Sequence, residues 1–241
     1  MIPKKIHYCW FGKGKMPMLS IKCIDSWKEF LPDYELKLWD ETNFDVNTNV
    51  YVQEAYAAKK YAFVSDYVRL YALDKEGGIY MDTDVQVLKN LDYFLQFPAF
   101  TGFETDTEVP TGIIASEKNG SWVKDQLTYY ENKNFILPDG SLDLTTNVQI
   151  ISKRMSENGF VVENGYQIYK DCMHVFPKDY FCPKNRVGKI ELTENSYCIH
   201  HFNGSWMSPK LKFKKFFYHK ILGSFITGKL VNLKRKLKKQ N

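Results

Sequence analysis

Apolar and polar positions follow two different periods along the chain, and this difference predicts strands and helices. Period-two runs predict strands over KKIHYCWFG, ELKLWD, IYMDTDVQVL, AFTGFE, TGIIAS and SYCIHHF. Helical spacing predicts helices over MLSIKCIDSWKEFL, SWVKDQLTYYENK and TTNVQIISKRMSENG. Strands that alternate with helices favour an α/β fold with a mostly parallel sheet.

The strongest helix prediction covers YVQEAYAAKKYAFVSDYVRLYALDKE, residues 51–76. This stretch is rich in Ala, Leu and charged helix formers and contains neither Gly nor Pro. The Gly77-Gly78 pair that follows would end the helix. We therefore expect one continuous helix, followed directly by a buried strand.

Two carboxylates, Asp82 and Asp84, follow that apolar run. Strand alternation would point both side chains the same way, so that they share one ligand. Open α/β sheets bind ligands at the carboxyl ends of their strands, and hard oxygen ligands suit Mg²⁺ or Mn²⁺. The alternative is a solvated surface turn, since Asp-x-Asp alone is a common pattern.

Ser65, Asp66 and Arg69 lie one turn apart on the predicted helix. They form either an ordinary helical ion pair or a site where Arg69 binds a phosphate or sugar oxygen and Asp66 accepts from sugar hydroxyls. Near the first strand's end, Trp10 is either a core residue or a stacking platform for a nucleotide base.

A second polar cluster, IHHFNGSW, occupies residues 199–206. Two adjacent histidines at a strand end point to opposite faces, so only one of them would reach a metal ion. We expect His201 to be that ligand.

Composition narrows the class of protein. With 241 residues and 44% hydrophobic content the chain can bury a sizeable core. The five cysteines are far apart and form no C-x-x-C motif, so we expect free thiols in a reducing cytoplasm. We expect no secretion and no membrane-spanning segment, because no stretch offers about 18 consecutive apolar residues.

The net charge of +5 comes from one end of the chain. Eleven of the 33 basic residues and none of the 28 acidic ones lie in 209–241, which leaves residues 1–208 with a net charge of −6. Aromatic and aliphatic residues at helical spacing make 209–241 a predicted basic amphipathic helix. It would bind an anionic membrane surface or pack on the domain; nucleic acid is disfavoured because the acidic body would repel it.

Three segments in this order and spacing resemble the D-x-D sugar-binding glycosyltransferases of family 32: IPKKIHYCWFG, AYAAKKYAFVSDYVRLYALDKEGGIYMDTDV and IHHFNGSW. This family includes bacterial capsule and O-antigen transferases and fungal mannosyltransferases. The N-terminal part is also similar to the glucosyltransferase domain of large clostridial toxins. Where relatives often carry Gly-Pro at the start of a later helix, this chain has LTTNVQII.

The resemblance implies one GT-A catalytic domain over residues 1–208, Mn²⁺ or Mg²⁺ as cofactor, a nucleotide-sugar donor and retention of anomeric configuration. By the same resemblance, Trp10 would stack on the base. Ser65, Asp66 and Arg69 would hold the donor sugar and its ribose or phosphate side.

The metal roles are implied in the same way. Asp82 would contact ribose and metal, Asp84 and His201 would bind the metal, and Ser205 and Trp206 would meet the diphosphate. No nucleophile is obvious, so we name Glu104 and Asp106 as the carboxylates to test for catalysis.

We therefore expect a hexosyltransferase that uses a UDP-sugar, with UDP-galactose and UDP-glucose favoured. Its acceptor would be a capsular, O-antigen or lipopolysaccharide precursor on undecaprenyl diphosphate, elongated by an enzyme peripheral to the inner face of the cell membrane. The enzymatic alternatives are a GDP-mannose-dependent mannosyltransferase and a toxin-like protein glycosyltransferase. The non-enzymatic alternative is a nucleotide-sugar-binding protein without turnover.

Overall fold

The computed structural model describes residues 1–184 and 188–203. Its strands are β1 Lys5–Cys9, β2 Glu35–Trp39, β3 Gly78–Met81, β4 Val85–Val87, β5 Ala99–Gly102, β6 Ile113–Ser116, β7 Gln167–Tyr169, β8 Met173–Phe176 and β9 Cys198–His200. Its α-helices are α1 Met18–Phe30, α2 Val50–Ala57, α3 Tyr61–Glu76, α4 Ser121–Leu127, α5 Asn147–Glu157 and α6 Lys178–Phe181.

Seven strands form a central sheet in the order β2-β1-β3-β6-β5-β8-β7. The pairs β1–β2, β1–β3 and β5–β8 are parallel, whereas β6 is antiparallel to both of its neighbours and β7 to β8. Because β3 and β5 are both antiparallel to β6, they run in the same direction. The carboxyl ends of β1, β3 and β5 therefore lie at one edge of the sheet.

Two hydrophobic clusters cover the two faces of this sheet. One contains side chains of α2, α3, α4 and α5, and the other contains side chains of α1 and α6. Apolar side chains from successive strand positions enter one cluster or the other, as the two-residue period requires. The result is an α/β fold with helices on both faces, which confirms the predicted fold class.

The predicted continuous helix over residues 51–76 is wrong. It is divided into α2 and α3, because Lys59 adopts a left-handed conformation with φ of +57°. The main-chain N–H of Lys60 then bonds back to the carbonyl of Ala55 at 2.8 Å and closes the end of α2. The break frees α3 to take its own direction against the sheet.

The predicted single strand IYMDTDVQVL is also divided. Its first part is β3 in the central sheet; its second part is β4, which pairs antiparallel with β9 in a separate two-stranded sheet. Helix α1 supports β4, since the Trp27 indole N–H donates to the carbonyl of Val85 at 2.7 Å and Ser26 Oγ accepts from the N–H of Val87 at 3.0 Å. Both contacts satisfy main-chain groups that would otherwise be buried unpaired.

Among residues 1–184 and 188–203, no helix has the length and apolar character needed to cross a bilayer. The basic amphipathic helix predicted over 209–241 lies outside the described residues, so that prediction and the domain boundary at residue 208 stay predictions.

The support of β4 by α1 gives a stability prediction. Trp27→Phe removes a buried N–H donor and leaves the Val85 carbonyl without its partner, so we expect the free energy of unfolding to fall by about 1–3 kcal/mol more than in the control. The matched control is Trp122→Phe, because the buried Trp122 indole N–H has no hydrogen-bond partner in the described part of the chain. Urea unfolding measures both; equal losses would show that the bond to Val85 contributes nothing.

Candidate active site

The two aspartates of the D-x-D sequence lie in a tight turn between β3 and β4. The N–H of Val85 bonds to the carbonyl of Asp82 at 2.9 Å, and the N–H of Asp82 bonds to the carbonyl of Gly112 at 2.8 Å. The carboxylates therefore converge because the chain turns, and not by the strand alternation that we predicted. Their expected proximity is nonetheless present.

Arg69 joins α3 to this turn. Its guanidinium lies 2.9 Å from Asp66 Oδ1 and 3.3 Å from Asp82 Oδ1, and its charged group packs over the Tyr80 ring at 4.5 Å. The Tyr80 hydroxyl donates to the same Asp82 oxygen at 3.0 Å. Asp82 is thus fixed by two neighbours, and the ion pair predicted between Asp66 and Arg69 is present and buried.

Burial and neighbouring charges shift the pKa values of Asp66 and Arg69. Burial raises the pKa of Asp66 to about 6, although the charge of Arg69 acts in the opposite direction. Burial also disfavours a charged Arg69, but Asp82 and its other neighbours overcome this and raise the pKa of the guanidinium. Arg69 is therefore a permanent buried cation that needs both carboxylates.

His200, and not His201, faces the two aspartates. In the β4–β9 pair His200 is opposite Val85, directly beyond the D-x-D turn, and its Nε2 lies 3.3 Å from Asp84 Oδ1 and 3.9 Å from Asp82 Oδ2. His201 points elsewhere and its Nε2 bonds to Gln86 Oε1 at 3.0 Å. Our assignment of His201 as the metal ligand is corrected to His200; the rule of opposite faces holds, but the choice between the two was wrong.

The charges of Asp84 and His200 depend on each other. Although burial opposes ionisation, the hydrogen bond and charge of His200 lower the pKa of Asp84 to about 2. Burial disfavours the imidazolium too, but Asp84 and Glu104 together raise the pKa of His200. The main-chain N–H of Asn203 also donates to Asp84 Oδ2 at 2.7 Å.

Asp82, Asp84 and His200 fit a divalent cation. One ligand atom from each lies within 4.8 Å of the others, and one imidazole with two carboxylates is a donor set suited to Mn²⁺. Gly112 keeps space open beside them, because a Cβ there would lie 3.2 Å from both Asp82 Oδ2 and His200 Cε1. The mainly acidic surroundings favour a cation further.

The remaining predicted donor-side residues lie at the same edge of the sheet. Cys9, next to Trp10, lies beside Ser65 and Arg69. Trp10 is half-buried and is not a core residue; its indole N–H donates to the carbonyl of Gly14 at 2.6 Å. Ser65 Oγ donates to the carbonyl of Tyr61. The base-stacking role of Trp10 and the donor role of Ser65 stay predictions.

The two carboxylates that we named for catalysis are placed differently. Glu104 Oε2 lies 3.6 Å from His200 Nδ1, on the side of the ring away from the aspartates. Asp106 forms an ion pair with Lys178 at 3.1 Å. A catalytic role for either stays a prediction. Ser205 and Trp206 lie outside the described residues, and so do their predicted contacts with the diphosphate.

Two residues at the site were missed in the sequence. Tyr80 has the strand pattern of a core residue, although its position two residues before Asp82 could have indicated a contact. The main-chain N–H of Asn147 faces the Asp66 carboxylate, and its buried side-chain amide nitrogen has no partner within residues 1–184 and 188–203. Only the cap sequence TTNVQ, which starts α5, hinted at it.

Known families share the part of the chain that contains this site. Residues 17–101 match the family described as a glycosyltransferase sugar-binding region containing a DXD motif. Residues 17–101 of this chain thus resemble the sugar-binding region of the DXD glycosyltransferases. The match includes α3, the D-x-D turn and the buried ion pair between them, and it confirms the family predicted from the sequence.

Curated relatives match this chain only in part. Subversion of eukaryotic traffic protein A of Legionella pneumophila is 29% identical over 111 residues, covering 35% of this chain and 17% of that protein. Inositol phosphoceramide mannosyltransferase 3 of Schizosaccharomyces pombe is 29% identical over 121 residues, which cover 48% of this chain and 34% of that protein. Mannosyl phosphorylinositol ceramide synthase CSH1 of Saccharomyces cerevisiae is 25% identical over 251 residues, which cover 95% of this chain and 59% of that protein. The chain thus spans less than two thirds of each.

Solved structures with similar folds include PaToxG glycosyltransferase, with a TM-score of 0.48, 22% identity and coverage of 64% of this chain and 70% of that one. A glycosyltransferase involved in glycosylation of the major capsid of PBCV-1 has a TM-score of 0.49 and 11% identity, and the match covers 87% of this chain and 98% of that one.

The open space at Gly112 gives a prediction about cation binding. In Gly112→Ala the added methyl group would lie 2.9 Å from Val85 Cγ2 and would crowd Asp82 and His200, so we expect Mn²⁺ affinity to fall about tenfold or more, as for other disturbed ligand shells. Gly165→Ala is the matched control, since its Cβ would meet nothing within 4 Å. Titration calorimetry with Mn²⁺ compares them, and an unchanged affinity in Gly112→Ala would contradict the cation assignment.

Proposed function

We propose that this chain is a metal-dependent glycosyltransferase that moves a hexose from a nucleotide sugar to a glycan acceptor. The observation that carries the proposal is the convergence of Asp82, Asp84 and His200 beside the buried Arg69, within the matched sugar-binding region. A carboxylate–imidazole cluster beside a fixed cation suits a diphosphate leaving group.

Asp66, Arg69 and Asn147 would form the sugar side of the donor site. The Asp66 carboxylate accepts hydrogen bonds, and the Asn147 amide nitrogen, which has no partner among the described residues, can donate one to a sugar hydroxyl. Arg69 keeps Asp66 and Asp82 in place through its two ion pairs. These groups are held rigidly before the donor arrives, which lowers the cost of ordering them on binding.

Asp82, Asp84 and His200 would hold Mn²⁺ or Mg²⁺, which when bound neutralises the negative charge that develops on the departing nucleoside diphosphate. The chain's own contribution is to orient these ligands. Tyr80 and Arg69 fix Asp82, while the Asn203 N–H and His200 fix Asp84.

Trp10 would receive the nucleotide base. A cavity of about 500 Å³ adjoins its loop and is lined by side chains that include Lys13, Asn43 and Tyr56. The N–H of Gly12 bonds to Glu41 at 2.6 Å and holds the loop at the rim of this cavity. Lys13 of the same loop lines this cavity, and an aromatic ring in that loop suits a base because stacking needs only a π-face.

The donor is proposed to be a UDP-hexose, UDP-galactose or UDP-glucose first. GDP-mannose is the second candidate, and a specific observation favours it: two of the curated relatives are named for mannosyl transfer. The names of those two relatives also contain a ceramide lipid. These names support a lipid-containing acceptor. The acceptor we propose is a cell-surface polysaccharide precursor on undecaprenyl diphosphate, and the proposed transfer retains the anomeric configuration.

The proposed transferase is tested by hydrolysis and thermal stabilisation with a panel of UDP-, GDP- and CMP-sugars, with and without Mn²⁺. We expect one UDP-sugar to respond, and only with metal; a response to GDP-mannose alone would move the proposal to mannosyl transfer. Metal-dependent binding of a donor that is never hydrolysed or transferred would favour a binding protein without turnover.

Asp84→Asn should abolish Mn²⁺-dependent donor binding, because it removes the charge of the carboxylate closest to His200. Calorimetry with the responding nucleotide sugar measures the loss. Asp25→Asn, an exposed residue paired with Lys28 on α1, is the control and should bind like the parent chain. Parent-like affinity in Asp84→Asn would reject its role as a metal ligand.

We further propose that residues 209–241 bring the enzyme to the inner face of the cell membrane. Eleven basic residues at about 1 kcal/mol each near an anionic surface are ample for attachment. Deleting 210–241 should abolish flotation with anionic vesicles, and a full-length chain with the eleven basic residues changed to Gln should behave like the deletion. If the deleted form still floats, membrane binding belongs elsewhere in the chain.

A further inference from the structure

His200 is enclosed on every side that the structure describes. Its side chain is 9% exposed, and Phe202 packs against its ring with centroids 4.1 Å apart. Gly112 lies so close to the ring that a Cβ there would be 3.2 Å from its Cε1. Its Nε2 faces Asp84 and Asp82. The ring therefore has one orientation, and its other nitrogen, Nδ1, needs a partner in that orientation.

Glu104 is the group that faces Nδ1. At 3.6 Å the contact is an ion pair longer than a hydrogen bond, and among the described residues Nδ1 has no hydrogen-bond partner. The Glu104 side chain is itself mostly buried, with 18% exposed. The Glu104 carboxylate therefore interacts mainly with the imidazole of His200 and little with solvent.

The loop that carries Glu104 is fixed to the rest of the domain. The N–H of Glu104 bonds to the carbonyl of Glu108 at 2.8 Å, and Ser152 of α5 both donates to the Val109 carbonyl and accepts from its N–H. Because β5 and β3 run in the same direction, Glu104, which follows β5, lies at the same edge of the sheet as Asp82, which follows β3. Its position is therefore a consequence of the fold.

We propose that Glu104 is a positioning residue that fixes His200 in the Nδ1–H tautomer, so that Nε2 presents its lone pair to a divalent cation. A histidine that binds a metal through one nitrogen commonly donates the other N–H to a carboxylate, and loss of that carboxylate commonly lowers metal affinity 10- to 100-fold. Here the three carboxylates have separate tasks: Asp82 and Asp84 bind the cation, and Glu104 orients the imidazole.

This inference rests on the proposed function only in requiring a divalent cation at Asp82, Asp84 and His200. It gives Glu104 a positioning role in place of the catalytic role for which we named it. The imidazole separates Glu104 from the two aspartates, so the carboxylate reaches the cation only through the ring.

The test measures Mn²⁺ affinity by calorimetry on the full chain carrying Glu104→Ala, Glu104→Gln or Glu108→Gln. We expect a loss of about 10- to 100-fold for Glu104→Ala, and a smaller loss for Glu104→Gln, whose amide oxygen still accepts the N–H. Glu108→Gln is the matched control from the same loop, since Glu108 accepts from Thr105 and makes no described contact with His200; it should bind like the parent chain.

A spectroscopic measurement separates positioning from a general structural effect. Long-range ¹H–¹⁵N correlation of the imidazoles in the Mg²⁺ complex should show the His200 Nδ1–H proton shifted downfield by a hydrogen bond in the parent chain and in Glu104→Gln, and without that shift in Glu104→Ala. If Glu104→Ala fails to fold, Glu104→Gln and Glu104→Asp carry the comparison, with reduced affinity and a retained downfield Nδ1–H proton expected of both.

The outcomes distinguish this inference from the proposed function. Parent-like Mn²⁺ affinity or an unchanged Nδ1–H shift in Glu104→Ala would overturn the positioning role and leave the transferase proposal standing. Mn²⁺ binding that depends on Glu104, in a chain that turns over no nucleotide sugar, would support the positioning role and overturn the transferase. Absence of divalent-cation binding by the parent chain would overturn both.

Discussion

The antiparallel pairing of β4 with β9 is the contact on which the site depends. It joins residues 85–87 to residues 198–200 and places His200 opposite Val85, directly beyond the D-x-D turn. On its other side β4 is held by two side chains of α1, Trp27 and Ser26. Without this pairing Asp82 would still contact Arg69, but the two aspartates would lack an imidazole and the site would have carboxylate ligands alone.

The second constraint is the balance of buried charge. Arg69 cannot lose its proton, so it needs Asp66 and Asp82 close by to compensate for its desolvation. Asp82 is thus shared between the guanidinium and the candidate cation site, while Asp84 turns to His200. A bound divalent cation would add positive charge where carboxylates already outnumber fixed cations, which explains why such an acidic cluster is tolerated beside the core.

Local patterns predicted the parts of this architecture that local interactions determine. Helix α1, helix α5 with its Thr146–Gln149 capping box, and the strands that precede the site all follow from periodicity and end signals. The break at Lys59 could not be predicted in this way, because no local sequence signal indicates that a lysine adopts a left-handed conformation. The choice between His200 and His201 depended on the register of β4 with β9, a contact across 115 positions, and the short β7 and β8 have too few residues for a period.

The start of α5 shows how this chain builds the donor side without the Gly-Pro found in many relatives. Thr146 caps the helix with its side chain, and this leaves the N–H of Asn147 directed at the Asp66 carboxylate. One turn and a half later, Ser152 of the same helix holds the loop that carries Glu104. Helix α5 therefore connects Asn147 and Asp66, on the proposed sugar side of the site, to Glu104 and His200, on the proposed metal side. A shift of this helix would disturb both halves together, and the two sides of the donor site are consequently expected to be positioned as one unit.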